Sequence, residues 1–295
     1  MTMDQPQVFS IGMLAEAAGV SVKTVRYYSD QGLLPDTVER SAGGHRRYGT
    51  DALEVLRTLR GMRALGLPLP LAGAVVRTEL TLDQALAEQR EEVARELTRL
   101  RWRAAALAAA ETSEHLLLLG DALQEGPARD SFATFWRRVL PLRIPASLRT
   151  AIVDAALPEL PADPTPRQAL AYAELRALTV DRARAAEARY LERSGCDATM
   201  VYQGVGEAYT LAAAEIARGA TPAVGEAVDA FVSVFARAER KVDNTDFRRE
   251  LAARRSGPEV MVRYWSLSSL LDPRPNMGAA HEWITAGLCG WAAQL

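Results

Sequence analysis

The chain has 295 residues, of which 48% are hydrophobic and 24% charged, and its formal net charge is -2 at pH 7. That length exceeds a typical single domain, so two or three folded units are expected. No apolar run reaches the ~18 residues that a helical bilayer crossing requires, and residues 1–10 lack the basic and apolar regions of a signal peptide, so a cytoplasmic protein with no membrane partner is expected. Cys196 and Cys289 lie far apart, and His45, His115 and His281 are equally scattered. That is neither a disulfide framework nor metal-ligand spacing. No metal or other cofactor is expected, and each thiol reads as a buried structural group rather than a sensor.

The charge is unevenly spread: 9 basic and 8 acidic residues in 1–80, 5 and 9 in 81–125, and 21 and 20 in 126–295. Any affinity for a polyanion must therefore come from local placement. Five cations, Lys23, Arg26, Arg40, Arg46 and Arg47, fall between residues 22 and 48, against three acids.

In chain order, Ser10 is a suitable N-cap for a short helix over 11–18, with Ile11, Leu14, Ala15 and Ala18 at helical spacing. Gly19 permits a left-handed turn, Val20 plugs the core, and Ser21 caps a second helix from Val22. Helix, glycine-containing turn, helix is the helix-turn-helix pattern. The second helix places Lys23, Arg26, Tyr27 and Asp30 on successive faces, with Val22 and Val25 inward, and ends at Gly32 before Pro35. From Val38 to Tyr48 helical periodicity is absent, and Ala42-Gly43-Gly44 predicts the turn of a β-hairpin, or wing. Thr50 then caps a third helix with Leu53, Leu56, Leu59, Met62 and Leu65 on one stripe, and a short helix follows Pro70. Cations and phenolic hydroxyls repeated on two adjacent protrusions suit phosphate oxygens of a duplex. Taken singly, Tyr27 and Tyr28 also read as core aromatics, and Arg46 and Arg47 as a solvated hairpin edge.

The segment Thr24-Val25-Arg26-Tyr27-Tyr28, then Gly32-Leu33-Leu34-Pro35, then Gly44-His45-Arg46-Arg47-Tyr48 resembles the N-terminal pattern of the MerR family of bacterial transcription regulators. The resemblance covers roughly residues 9–78. It implies a winged helix-turn-helix in which Thr24, Arg26, Tyr27 and Tyr28 contact operator backbone or bases, Arg46 anchors the wing on phosphates, and Tyr48 buttresses it. The wider candidate DNA-binding set is Ser21, Lys23, Thr24, Arg26, Tyr27, Tyr28, Arg40, His45, Arg46, Arg47 and Tyr48. Two departures from the pattern are Ser29, where an acid or histidine is usual, and the acidic run Asp36-Thr37-Val38-Glu39. The resemblance further implies a homodimer on a pseudo-palindromic promoter with an over-long spacer, acting on RNA polymerase indirectly by bending and untwisting the duplex.

Residues 82–119 contain neither Pro nor Gly and are rich in strong helix formers, which predicts one long helix. Leu86, Val93, Leu100 and Leu107 recur every seven residues, with Leu97 and Ala104 on the alternate seam, a coiled-coil period over about three heptads. The alternative is a long helix packed on its own domain. The family resemblance implies an antiparallel coiled coil between two subunits. The cysteines that the family's metal and redox sensors carry around this helix are absent here, so soft-metal and iron–sulfur sensing are not expected.

Gly126-Pro127 marks a boundary. The following 169 residues suffice for a domain with its own core. Helices are predicted at about 130–140, 146–157, 166–193, 199–218, 222–241, 244–255, 258–271 and 279–293, and alternating β patterns are scarce. The expected organisation is a DNA-binding domain over 1–78, a dimerisation helix over 79–121 and an all-α bundle over 126–295. Of the 19 aromatic residues, 14 follow residue 126. Trp136, Tyr172, Tyr190, Tyr202, Tyr209, Trp265 and Trp283 are candidate walls of a small-molecule pocket, and Glu174, Glu187, Glu207 or Glu215 candidate partners for a cation. The alternative is that these aromatics form an ordinary bundle core. No catalytic constellation emerges, and Gly204-x-Gly206 is isolated within a helical pattern. The expected function is a non-enzymatic, DNA-binding regulator responding to an organic small molecule. The alternative is a ligand-independent regulator whose C-terminal domain binds another protein.

Overall fold

The computed structural model describes residues 8–35, 39–40, 46–124, 126–189, 191, 196–254 and 258–294. The chain divides into two compact units, Met1–Leu97 and Thr98–Leu295. Among the described residues the fold is mainly α, with a small β-sheet in the first unit and helices alone in the second.

The first unit opens with β1 (Phe9–Ser10) and α1 (Ile11–Ala18). Ser10 Oγ accepts the Met13 amide, and Gly19 ends the helix at φ 64°, a left-handed conformation in which a Cβ would be strained. Helix α2 (Val22–Asp30) follows, capped by Ser21, whose Oγ accepts the Thr24 amide at 3.0 Å. Strands β2 (Glu39–Arg40) and β3 (Arg46–Tyr48) form the hairpin, and its Ala42-Gly43-Gly44 turn lies outside the described residues. The sheet order is β1-β3-β2, antiparallel, with Phe9 opposite Tyr48 and Glu39 opposite Arg47. Sequence reading missed β1, because two residues are too few to show alternation.

Helices α3 (Thr50–Ala64) and α4 (Leu69–Val76) complete the unit. Leu14, Ala18, Val25, Leu56, Leu59 and Leu67 are fully buried in its core. Val22, expected inward, is exposed instead.

Helix α5 (Leu82–Ala109) contributes residues to both units. It stops ten residues short of the predicted end, and α6 (Ser113–Leu123) is a separate helix. Thr112 is extended and its hydroxyl accepts the His115 amide at 3.1 Å, which makes it an N-cap inside a run of helix formers.

The second unit continues with α7 (Asp130–Val139), α8 (Ala146–Ala156), α9 (Pro166–Val180) and α10 (Arg182–Ala188). Then come α11 (Ala198–Ala217), α12 (Glu226–Ala238), α13 (Thr245–Ala253), α14 (Glu259–Leu271) and α15 (Met277–Ala292). The single helix expected over 166–193 is broken at Asp181, whose carboxylate accepts the Ala183 amide and starts a new helix.

Two apolar cores fill this unit. The first gathers Trp102, Phe132, Phe135, Trp136, Tyr172 and Tyr264, and the second Val205, Val228, Phe231, Val232, Ile284 and Leu288. Phe135 stacks on Tyr264 at 5.6 Å, and Trp136 meets Tyr264 edge-on at 5.5 Å. Each such pair adds about 0.5–1.5 kcal/mol beyond its buried area. The Tyr264 hydroxyl donates to Ala156 O at 2.9 Å, and burial pushes its pKa up, so it stays neutral. No described helix is long and apolar enough to cross a membrane.

Candidate DNA-binding face and candidate ligand cavity

In the first unit, the capped start of α2 sets which side chains reach solvent. Val25 and Tyr28 turn into the core, so Lys23, Arg26 and Tyr27 emerge together, three and four residues apart on one exposed face. Lys23, Arg26 and Arg47 make no ion pair among the described residues, which leaves their charges available. The Ser21 and Thr24 hydroxyls lie 2.8 Å apart and serve the cap. This end of a helix also presents free backbone N–H groups and the positive end of its dipole, both suited to phosphate.

The wing side is built differently. Arg46 on β3 is exposed, but its Nη1 donates to Asp30 Oδ1 at 2.8 Å and to Ser29 Oγ at 3.1 Å. It ties the wing strand to the last turn of α2, a positioning contact that the sequence did not predict. Ser29, noted as a departure from the family pattern, is one of the acceptors.

Tyr48 is buried at 1% exposure, and its hydroxyl lies 3.4 Å from Ser29 Oγ. Tyr28 is buried at 9%, against 50% for Tyr27. Tyr28 and Tyr48 are thus buried, unlike the exposed Lys23, Arg26 and Tyr27. Arg40 is described as backbone only, and His45 lies outside the described residues.

Along α5, Leu86 is half-buried against the first unit's core. Val93, Leu97, Leu100, Ala104 and Leu107 are exposed, Leu107 at 71%. The seam at heptad spacing is thus bare apart from Leu86. The other face of the same helix buries Trp102, Ala105, Ala106 and Ala109, and the Trp102 indole donates to Pro161 O at 3.2 Å.

In the second unit, α7, α8, α11, α12, α14 and α15 enclose a cavity of about 480 Å³. Trp136, Tyr202, Tyr209 and Trp265 line it, together with Ile152, Phe235, Met261, Met277 and His281. Tyr172 and Trp283 do not. Tyr172 is fully buried, its hydroxyl accepting the Ala128 amide and donating to Ala128 O, and the Trp283 indole donates to Ala220 O at 3.0 Å. Both act as core aromatics with a satisfied polar end, the alternative reading for the set. Tyr190 lies outside the described residues.

The four acids proposed as cation partners are not part of the cavity wall. Glu174 pairs with Arg263, Glu187 with Arg184 and Glu215 with Arg218, while Glu207 lines a different depression. The carboxylate at this cavity is Glu282, which is exposed.

Sequence reading missed His281, since an isolated histidine has no motif to mark it. Its Nδ1 lies 3.3 Å from the Tyr209 hydroxyl, and its ring meets Phe231 edge-on at 5.5 Å. The ring is partly accessible through the cavity, yet burial pushes its pKa down to about 4. It is a neutral imidazole at physiological pH, with one donor and one acceptor nitrogen.

Gly278 makes the wall possible. A Cβ there would fall 2.7 Å or less from several Trp265 side-chain atoms, so glycine lets that ring lie directly on α15. The isolated Gly204-x-Gly206 pair is also accounted for. Gly204 faces Val234 at a distance no Cβ would tolerate, whereas Gly206 lines the cavity where a Cβ meets no atom within 4 Å.

Cys196 is half-buried, and burial with Glu239 nearby raises its thiol to about 11, an unreactive state. Cys289, expected to be buried, is exposed, its thiol donating to Ala252 O at 3.3 Å. Groups of three or more His, Cys, Asp or Glu able to hold a metal ion are absent among the described residues.

The family model for "MerR HTH family regulatory protein" matches residues 9–78. The chain is 39% identical over 88 residues to the HTH-type transcriptional activator TipA of Streptomyces coelicolor, covering 30% of this chain and 32% of that protein. It is 37% identical over 87 residues to the HTH-type transcriptional regulator ZntR homolog of Haemophilus influenzae, covering 30% and 61%. The chain therefore spans about a third of the length of the TipA relatives and less than two thirds of the ZntR homolog. Among solved structures, HiNmlR, a MerR family regulator lacking the sensor domain and bound to promoter DNA, aligns with a TM-score of 0.25 at 24% identity, over 36% of this chain and 89% of that one. Residues 9–78 are a MerR-family helix-turn-helix domain.

Proposed function

We propose that the chain is a homodimeric, promoter-binding transcription regulator whose helical C-terminal unit responds to an organic small molecule. The observation that carries this reading is the presence, in one chain, of a MerR-family helix-turn-helix domain and an aromatic cavity of about 480 Å³. Pockets of this size and lining suit drug-sized ligands. The TipA relatives are transcriptional activators, which supports DNA control as the output.

Dimerisation is supported by the bare heptad seam of α5. Leucines at 45–71% exposure along one helical face are costly in water, and a second copy of the same seam would cover them. A two-fold dimer presents Lys23, Arg26, Tyr27 and Arg47 twice, on two half-sites. RNA polymerase is affected indirectly, through the geometry of the duplex. A ligand drives the response only if it binds two conformations of the dimer unequally. No catalytic step belongs to this reading.

Selection of duplexes from a random library by the purified full chain, with native mass spectrometry of the same sample, tests it. A dimer mass and an enriched site with two-fold symmetry are expected. A monomer, or a library that emerges unenriched, overturns the proposal.

A further inference from the structure

We propose that the cavity takes an uncharged, flat aromatic molecule, clamped between the two apolar cores of the helical unit. The inference rests on the ligand-sensing reading above and specifies its ligand.

The cavity sits where the two cores meet. Trp136, Met261 and Trp265 belong to the first core or pack on it, and Val205, Phe235 and Ala280 belong to the second. Tyr202 packs against both. Trp136 and Trp265 lie 5.4 Å apart with their planes tilted by 44°, and Tyr209 meets His281 edge-on at 6.2 Å. A planar ring system inserted here stacks on one core and abuts the other. Its affinity then comes from apolar area removed from water and from ring contacts.

Charge decides the class. Among the described residues neither Lys nor Arg lines the cavity, so an anion would lose its hydration with no counter-charge there to replace it. The carboxylate that is present, Glu282, is exposed and already solvated, so a cation would pass it and then be stripped of water among apolar walls.

Several polar side chains of the lining are committed within the helical unit, whereas the Trp136 indole N–H is buried with no hydrogen-bond partner among the described residues. Thr210 Oγ1 donates to Gly206 O at 2.8 Å. Asn276 Oδ1 accepts the Ala279 amide and its Nδ2 donates to Ser269. Tyr209 and His281 share one hydrogen bond. That pair, kept neutral by burial of the imidazole, is a polar contact for a carbonyl or ring N–H, and it offers no charge to an ion.

The rim supplies a way to close the site without disturbing the fold. Gly206 is exposed at the cavity edge, and a side chain there enters open space. The natural glycine keeps that side of the entrance clear.

Three ligands sharing one three-ring frame test the class on the full chain: acridone, which is neutral, 9-aminoacridine, which is cationic, and acridine-9-carboxylate, which is anionic. Binding is read by tryptophan fluorescence and by calorimetry at neutral pH. Acridone is expected to bind at least about tenfold more tightly than either ion, since each tenfold corresponds to about 1.4 kcal/mol. Gly206→Leu is expected to weaken acridone about tenfold or more while melting no lower than the natural chain. Tyr209→Phe is expected to weaken it severalfold, and Glu282→Gln to leave it unchanged.

Equal or tighter binding of an ion, or failure of all three compounds to bind, overturns the assignment of class. Unchanged acridone affinity in both Gly206→Leu and Tyr209→Phe overturns the assignment of place. The sensing reading falls on a different result: a selected operator bound identically by the natural chain and by Gly206→Leu in the presence of every compound that binds.

Discussion

The DNA-binding face and the cavity are built by opposite use of the same side-chain types. On α2 the tyrosine at 27 is pushed outward beside two unpaired cations, and its neighbour at 28 is buried to hold the helix in place. In the helical unit Tyr202 and Tyr209 turn inward onto a cavity that, among the described residues, Lys and Arg do not line. The first arrangement meets a polyanion whose position is fixed by many weak, salt-sensitive contacts. The second removes an apolar guest from water and asks for little charge. The difference teaches that aromatic content alone predicts neither role. What separates them is which charges lie within reach of each ring.

The contrast breaks most completely if the face cannot be presented twice. Leu97→Glu together with Leu100→Glu places like charges at two exposed seam positions of α5 that belong to none of the three described cores. Sedimentation is expected to show a monomer that melts as the natural chain does. Affinity for a selected operator should fall about 100-fold or more, because the second half-site is lost.

On the cavity side the largest effect is expected from Gly278→Ala. The added methyl would fall inside the Trp265 side chain, so the ring or α15 must move. Overpacking of this kind costs about 1–3 kcal/mol, which thermal or urea melts would register, with altered tryptophan fluorescence from Trp265. An unchanged melt would mean that the wall yields freely and that the close contact is not part of the packing.

A smaller effect separates the two kinds of arginine on the DNA face. Arg26 carries an unpaired charge, so Arg26→Ala should lower operator affinity and reduce the salt dependence by about one counter-ion per subunit. Arg46 is held by Asp30 and Ser29. Asp30→Ala removes the carboxylate while keeping the cation. If the contact positions the wing, Asp30→Ala weakens the operator complex despite removing a negative charge from the face. Tighter binding by Asp30→Ala would instead mean that the acid merely competes with phosphate for Arg46.

The two regions were also unequally legible. The helix-turn-helix was readable because each of its residues obeys a local rule: Ser10 and Ser21 as caps, Gly19 as a left-handed stop, Val25 as the inward position. Its wing contact was not, since Arg46 and Asp30 are 16 residues apart and no spacing marks an ion pair across a turn. The overlong helices over 82–119 and 166–193 were misjudged because helix propensity outweighed the caps Thr112 and Asp181, although Thr112-Ser113-Glu114 carried a start signal. Four of the seven aromatic candidates reach the cavity and two are core. Burial in a bundle depends on which helices pack together, and hydrophobic periodicity does not report that. His281 could not be found from sequence at all, because its neutral state is a property of the enclosure.

That enclosure has a measurable pH signature. His281 is held near 4 in the folded chain, against about 6.5 for an exposed imidazole. Below about pH 6.5 the unfolded chain takes up a proton that the folded chain refuses. The contribution of this site is complete above pH 6.5 and is lost as the pH falls towards 4, by up to about 1.4 kcal/mol per pH unit. Paired carboxylates such as Asp272, which Arg274 holds down near 2, lose their contribution only at lower pH. Urea midpoints between pH 6.5 and 5 should therefore fall more steeply for the natural chain than for His281→Leu. Parallel curves would place the imidazole in water.

The smallest expected effect bears most directly on why the cavity is open. Gly206 sits in the interior of α11, where glycine costs about 0.5–1 kcal/mol relative to alanine. Unlike Gly204 and Gly278, it has no close neighbour that forbids a side chain. Gly206→Ala should therefore raise stability by about that amount, and thermal melts of the natural and substituted chains would show it. Packing gives no reason for the helix to carry this cost. If Gly206→Ala is more stable but binds acridone less tightly, the glycine is explained by access to the cavity. If stability and affinity rise together, the rim is not under that constraint, and the contrast between a face built for DNA and a cavity kept clear for a guest loses its sharpest point.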